Sequence, residues 1–165
     1  MESLTQRQQY MGLAGWLLLA FIAAAIGAVA SVDAASFYQQ LQQPSWAPPA
    51  GAFGPVWTTL YALMGISAWC VWREKLVQNV RPALTLFVVQ LALNALWSWI
   101  YFVWHLGAVA FAGTVALWLL ILATLIAFWR VKPLAGALLV PYLAWVTLAT
   151  ALTWSTWHLN PQLLG

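Results

Sequence analysis

Five apolar stretches, none containing Asp, Glu, Lys or Arg, divide this chain: residues 10–32, 56–72, 83–103, 107–129 and 134–157. Each is long enough to cross about 30 Å of hydrocarbon as a helix. A backbone in lipid must satisfy its own hydrogen bonds, so the spanning element is a helix or a closed barrel. Near-continuous apolarity, without strict alternation, selects the helix. At 64% hydrophobic and 5% charged residues, the chain lacks the polar side chains to cover a soluble core of this size. The expected fold is all-α: residues 1–165 form one polytopic domain of five transmembrane helices, with a lid loop at 33–54.

The six Lys and Arg residues fall at Arg7, in the turn Arg73–Lys75–Arg81, and in the turn Arg130–Lys132. With five spans, all lie on one face, and the opposite face, with the lid and the C-terminus, has none. Cytoplasmic loops carry such an excess, so the expected topology is a cytoplasmic N-terminus in a bacterial plasma membrane. The alternative for the first stretch is a signal peptide cleaved near Ala28-Val29-Ala30, but its apolar run exceeds a typical h-region. Six basic residues are too few to indicate nucleic-acid binding. One cysteine, Cys70, excludes an intrachain disulfide framework.

Pro44-Ser45-Trp46-Ala47-Pro48-Pro49 cannot be helical, since prolines remove donors and push their predecessors to extended geometry. Pro55 sits where a helix start tolerates a missing N–H. The result is a stiff aromatic loop feeding a helix that carries Trp57, Tyr61, Met64 and Ala68 on one stripe. On the third stretch Gln90, Asn94, Trp97 and Tyr101 share a face by their four- and three-residue spacing. Tyr142, Trp145, Ala149 and Thr153 do so on the fifth, where Pro141 is expected to kink the helix. Intramembrane Asn and Gln either bond neighbouring helices together or mark a site. Trp72, Trp104, Trp129 and Trp157 read as interfacial anchors, Trp118 as core packing, and Trp145 as a cavity wall. Together these stripes describe an uncharged, ring-walled pocket between the second, third and fifth spans, suited to a large planar apolar ligand.

Phe37-Tyr38 through Pro49, Pro55 through Gly65, Gln90 through Asn94 with Trp97, and Pro141 through Thr150 with Leu159-Asn160 together resemble the translocator protein family. Its bacterial members are called tryptophan-rich sensory proteins. The resemblance implies a five-helix bundle, commonly a homodimer, whose pocket binds porphyrins, haem, cholesterol and synthetic ligands. It points to Trp57, Tyr61, Asn94, Trp97 and Trp145 as pocket positions, with Ala149 at the small position. It links Trp57 and Trp145 to light-dependent porphyrin breakdown. Three departures from the family pattern stand out. Thr153 replaces an Asn, Trp154 and His158 break the animal sterol motif, and Ala108 stands where animal members carry a tryptophan, which implies a wider or less enclosed pocket.

The sequence therefore favours a binding protein for tetrapyrroles, acting in transport, sequestration or sensing. Its expected ligand-binding residues are Trp46, Trp57, Tyr61, Asn94, Trp97, Tyr142, Trp145, Ala149 and Thr153. A light-dependent porphyrin-degrading enzyme using Trp57 and Trp145 is the alternative, and a sterol or small-lipophile carrier ranks lower. Conventional acid–base catalysis is not supplied, because Glu2, Asp33 and Glu74 all lie outside the spans. No metal or required cofactor is expected, since His105 and His158 fall at the membrane edge and Cys70 near the opposite face. A channel or ion-coupled carrier lacks the deep ionisable residues it would need. Small residues at Ala20, Ala24 and Ala28 and at Ala23, Gly27 and Ser31 allow close helix approach, within the chain or between copies.

Overall fold

The computed structural model describes residues 3–165, which are helical with no strand among them. Glu2 lies outside the described residues. Helix α1, Gln6–Ala30, starts at a capping box: Gln8 N donates to Thr5 Oγ1 (3.2 Å) and Thr5 N to Gln8 Oε1 (2.9 Å). A short helix α2 (Ala34–Gln40) follows, and then α3, Phe53–Trp72. Next come α4 (Arg81–Ser98), a π-helical turn (Trp99–Val103) and α5 (Gly107–Val131). The chain ends with α6 (Pro133–Leu138), α7 (Val140–Leu159) and α8 (Pro161–Leu164).

Four segments are long and apolar enough to cross a membrane: Gln6–Ala30, Arg81–Val103, Gly107–Val131 and Pro133–Leu159. Helix α3 has the length, at 20 residues, but its Trp, Tyr, Thr and Ser side chains dilute its apolarity. Those same polar-tipped residues include two that face the cavity described below.

Prolines mark helix starts. Pro82, Pro133, Pro141 and Pro161 each occupy a first-turn position, where a missing N–H costs nothing. Where a kink is expected at Pro141, the helix is interrupted by one residue, Leu139, between α6 and α7. The expected lid loop is partly helical. Helix α2 and a 3₁₀ turn at Ala50–Ala52 flank the Pro44–Pro49 stretch, which stays non-helical, and α3 starts two residues ahead of Pro55.

Helix α1 packs on α3 and α4, α5 on α4 and α7, and α6 on α3 and α5. Phe87 stacks on Phe128 (5.8 Å between centroids) with Trp16 edge-on to it at 5.9 Å, inside a core that includes Met64, Ala68, Ile121 and Val146. A second cluster at the lid end gathers Phe37, Leu41, Ile100, Tyr101, Ala110 and Leu164. At the basic end, Lys132 Nζ meets Glu74 at 3.0 Å and ties the α3–α4 turn to the start of α6.

Candidate functional site

A cavity of about 490 Å³ lies under the lid, within the ~300–1,000 Å³ typical of small-molecule sites. Trp57 and Tyr61 line it from α3, Asn94 and Trp97 from α4, Tyr101 and Phe102 from the π turn, and Trp145, Ala149 and Thr153 from α7. The sequence placed it between three helices, but α1 and α5 also contribute, through Phe21, Ala24, Ala28, Thr114 and Leu117. Tyr38 and Phe53 cover it from the lid side.

Two expected site residues stand elsewhere. Trp46 is 47% exposed and is not on the cavity wall. The Pro44–Pro49 turn carries it outward, and Tyr38 and Phe53 take the roof position instead. Tyr142 is buried behind the wall, where it orders the residues in front. Tyr61 Oη donates to Asn94 Oδ1 (2.9 Å), Asn94 Nδ2 to Tyr142 Oη (2.6 Å), and Tyr142 Oη to Gln90 Oε1 (2.8 Å). This chain joins α3, α4 and α7 and fixes which way the Asn94 amide points. Gln90 is thereby the bond between helices, while Asn94 both bonds helices and faces the cavity. One Nδ2 hydrogen of Asn94 is used on Tyr142, and the second remains for a ligand.

The hydroxyls of the wall are mostly committed. Thr58 donates to Gly54 O (2.8 Å), Thr114 to Phe111 O (2.7 Å) and Thr153 to Ala149 O (2.7 Å). Thr153, standing where the family pattern has an amide, can therefore accept from a ligand but does not donate to one. Trp97 Nε1 donates to Ala110 O (2.9 Å), and its ring stacks on Tyr101 at 5.1 Å. Trp145 differs: its Nε1 is buried without a hydrogen-bond partner, and Phe53 stands edge-on to its ring at 5.7 Å. An unmade buried hydrogen bond costs about 1–3 kcal/mol. Trp118, by contrast, donates to Thr147 Oγ1 (2.9 Å) and packs against the core.

The lid is held by a residue to which the sequence assigned no role. Asn160 is fully buried: its Oδ1 accepts from Gln42 N (2.7 Å), and its Nδ2 donates to Gln42 O (3.0 Å) and Thr156 O (2.8 Å). A polar residue closing an apolar helix, just before Pro161, was the available signal. Tyr38 Oη donates to Pro48 O (2.9 Å), closing the lid on itself. Burial pushes the Tyr38 phenol above its ordinary 10.0. Phe37 stacks on His105 at 4.3 Å, and His105 takes a φ of 52° in the turn before α5. Neither His105 nor His158 lines the cavity, and both are exposed; Cys70 is buried away from it. Ala108 is exposed and off the wall, so the widening expected there does not arise at that position. Among the described residues no cluster of His, Cys, Asp or Glu could hold a metal.

The profile of the TspO/MBR family matches residues 13–158. The chain belongs to the TspO/MBR family. It is 43% identical over 140 residues to protein CrtK of Rhodobacter capsulatus, covering 84% of this chain and 86% of that protein. It is 37% identical over 149 residues to the tryptophan-rich sensory protein of Cereibacter sphaeroides (88% and 92% covered). Against the human translocator protein the identity is 40% over 130 residues, 75% of each chain. Membership in the TspO/MBR family and the four long apolar helices make this an integral membrane protein.

Proposed function

We propose that this TspO/MBR protein binds a planar tetrapyrrole, porphyrin or haem, in the cavity beneath its lid, for transport, sequestration or sensing. The observation that carries the reading is the wall itself: Trp57, Tyr61, Trp97, Tyr101 and Trp145 around one cavity, with no acidic, basic or thiol side chain among the lining residues. Ring stacking contributes about 0.5–1.5 kcal/mol per pair beyond area burial. The free hydrogen of Asn94 supplies orientation to a ligand acceptor, and the Trp145 ring supplies a stacking face. In this reading α3 completes a bundle of five spans roofed by the lid. The basic turns face the cytoplasm of a bacterial plasma membrane, and the chain works as a homodimer.

Quenching of tryptophan fluorescence by protoporphyrin, in detergent or nanodiscs, tests the reading. Asn94→Ala and Trp145→Phe are each expected to weaken binding about tenfold, the first by the loss of one hydrogen bond and the second by the loss of ring area against the ligand. Unchanged affinity in both variants removes this cavity as the site.

Light-dependent porphyrin breakdown is favoured as a second reading by one observation: Trp57 and Trp145, the two indoles that chemistry would use, stand on the same wall. Illuminated protein with protoporphyrin should then lose porphyrin faster than free solution does, and Trp57→Phe and Trp145→Phe should abolish the difference. Equal loss in all samples leaves binding alone.

A further inference from the structure

Five residues line the cavity and also face outward: Phe21 and Ala28 on α1, Ala35 on α2, and Gly54 and Thr58 on α3. Every lining residue from α4, the π turn, α5 and α7 is buried or half-buried. The cavity is therefore closed on three sides and open on one, between α1–α2 and α3. Four of the five window residues are small, so little side-chain volume fills the gap. On α1 the cavity-facing positions Phe21, Ala24, Ala28 and Ser31 recur at three- and four-residue steps, which makes one helix face both wall and window frame.

The edges of the opening are firm. Deeper in the molecule α1 and α3 touch, with Gly65 so close to Leu17 that an added Cβ would lie 3.0 Å from the Leu17 Cα. Phe21, 6.4 Å from the Tyr61 ring, stands between that contact and the opening. Above, the lid is fastened on the far side by Asn160 to Gln42 and by Phe37 on His105. The free edge of the cavity thus faces lipid along α1 and α3, whereas the face toward water is the bonded one.

We propose that the cavity fills sideways, from the lid-side leaflet through the window between α1 and α3, and so selects ligands already dissolved in the membrane. This rests on the binding reading above and adds the source of the ligand: a lipid-partitioned planar lipophile, with entry from water through the lid excluded.

Stopped-flow quenching by protoporphyrin, preloaded into the lipid of nanodiscs holding the full chain, measures the association and dissociation rates separately. Ala28→Phe and Thr58→Phe narrow the window from opposite sides, at positions exposed enough for the fold to accept them. Each is expected to slow both association and dissociation by about fivefold or more, because a constriction acts on both directions of passage, whatever the added ring does to Kd. Asn160→Ala, which frees the lid, is expected to leave association unchanged. Phe variants with unaltered association, or with a change confined to dissociation, overturn the side entrance, as does faster association in Asn160→Ala. A native protein that shows no quenching overturns the binding reading itself, and the two failures are thereby told apart.

Discussion

Asn94 is the residue on which the site turns, and its orientation is set by Tyr142 from behind and by Tyr61 on the wall. Removing the Tyr142 hydroxyl strands two buried partners, Asn94 Nδ2 and Gln90 Oε1, which lie 2.6 and 2.8 Å from it. Hydrogen bonds between membrane helices average only about 0.6 kcal/mol, with a maximum near 1.7, because the unfolded chain in lipid also finds partners. Tyr142→Phe is accordingly expected to lower stability by about 1–2 kcal/mol, read by thermal unfolding in detergent. It should also weaken porphyrin binding, though Tyr142 is not on the wall. Full affinity with reduced stability would show that Asn94 needs no support.

At the scale of elements, small residues decide how the helices meet. The α1 positions Ala20, Ala23, Gly27 and Ala30 are buried against neighbours, and Gly27 lies over Ser98 on α4. The other small positions, Ala24, Ala28 and Ser31, face the cavity, and Gly27 lines it as well. The small-residue stripes of α1 are thus divided between packing and site. Gly65 makes a close α1–α3 approach, where an added Cβ would meet the Leu17 side chain and, at 3.0 Å, the Leu17 Cα, which has no side-chain freedom to yield. Gly65→Ala is expected to push α1 from α3 and cost about 1–3 kcal/mol as overpacking, despite the better helix propensity of alanine. A gain in thermal stability would contradict this. Near the lid, Gly107 leaves room for the Trp157 ring and for the C-terminal carbonyl of Leu164. Trp157 is therefore more than an interfacial anchor: its Nε1 donates to Gly165 O at 2.7 Å, closing the corner where Asn160 grips the lid.

Over the whole molecule, ionisable side chains keep to the two ends. Arg73 and Lys75 lie over the rings of Trp69 and Trp72 at 4.6 and 3.9 Å, and Lys132 pairs with Glu74. The histidines sit at the other end, outside the cavity. With no His, Cys or Met side chain on the wall, metal-free protoporphyrin is expected to bind about as tightly as haem. Parallel quenching titrations decide it. A tenfold preference for haem that disappears in His105→Ala or His158→Ala would reverse the expectation.

Periodicity and composition alone carried much of this, because a helix in lipid leaves its requirements in every residue. The uncharged stretches, the proline starts and the shared faces of Trp57 with Tyr61 and of Asn94 with Trp97 are local facts that three-dimensional packing did not alter. Packing decided what local patterns cannot contain. Trp46 and Trp145 are equally aromatic in the sequence, yet a proline turn carries one outward and α7 turns the other toward the cavity. Tyr142 and Tyr61 are alike in spacing, but only their distances across helices show which is wall and which is support. Asn160 gained its role from Gln42, 118 residues earlier in the chain. The side window is a gap between helices, and a gap belongs to no residue, so it exists only once α1 and α3 have met.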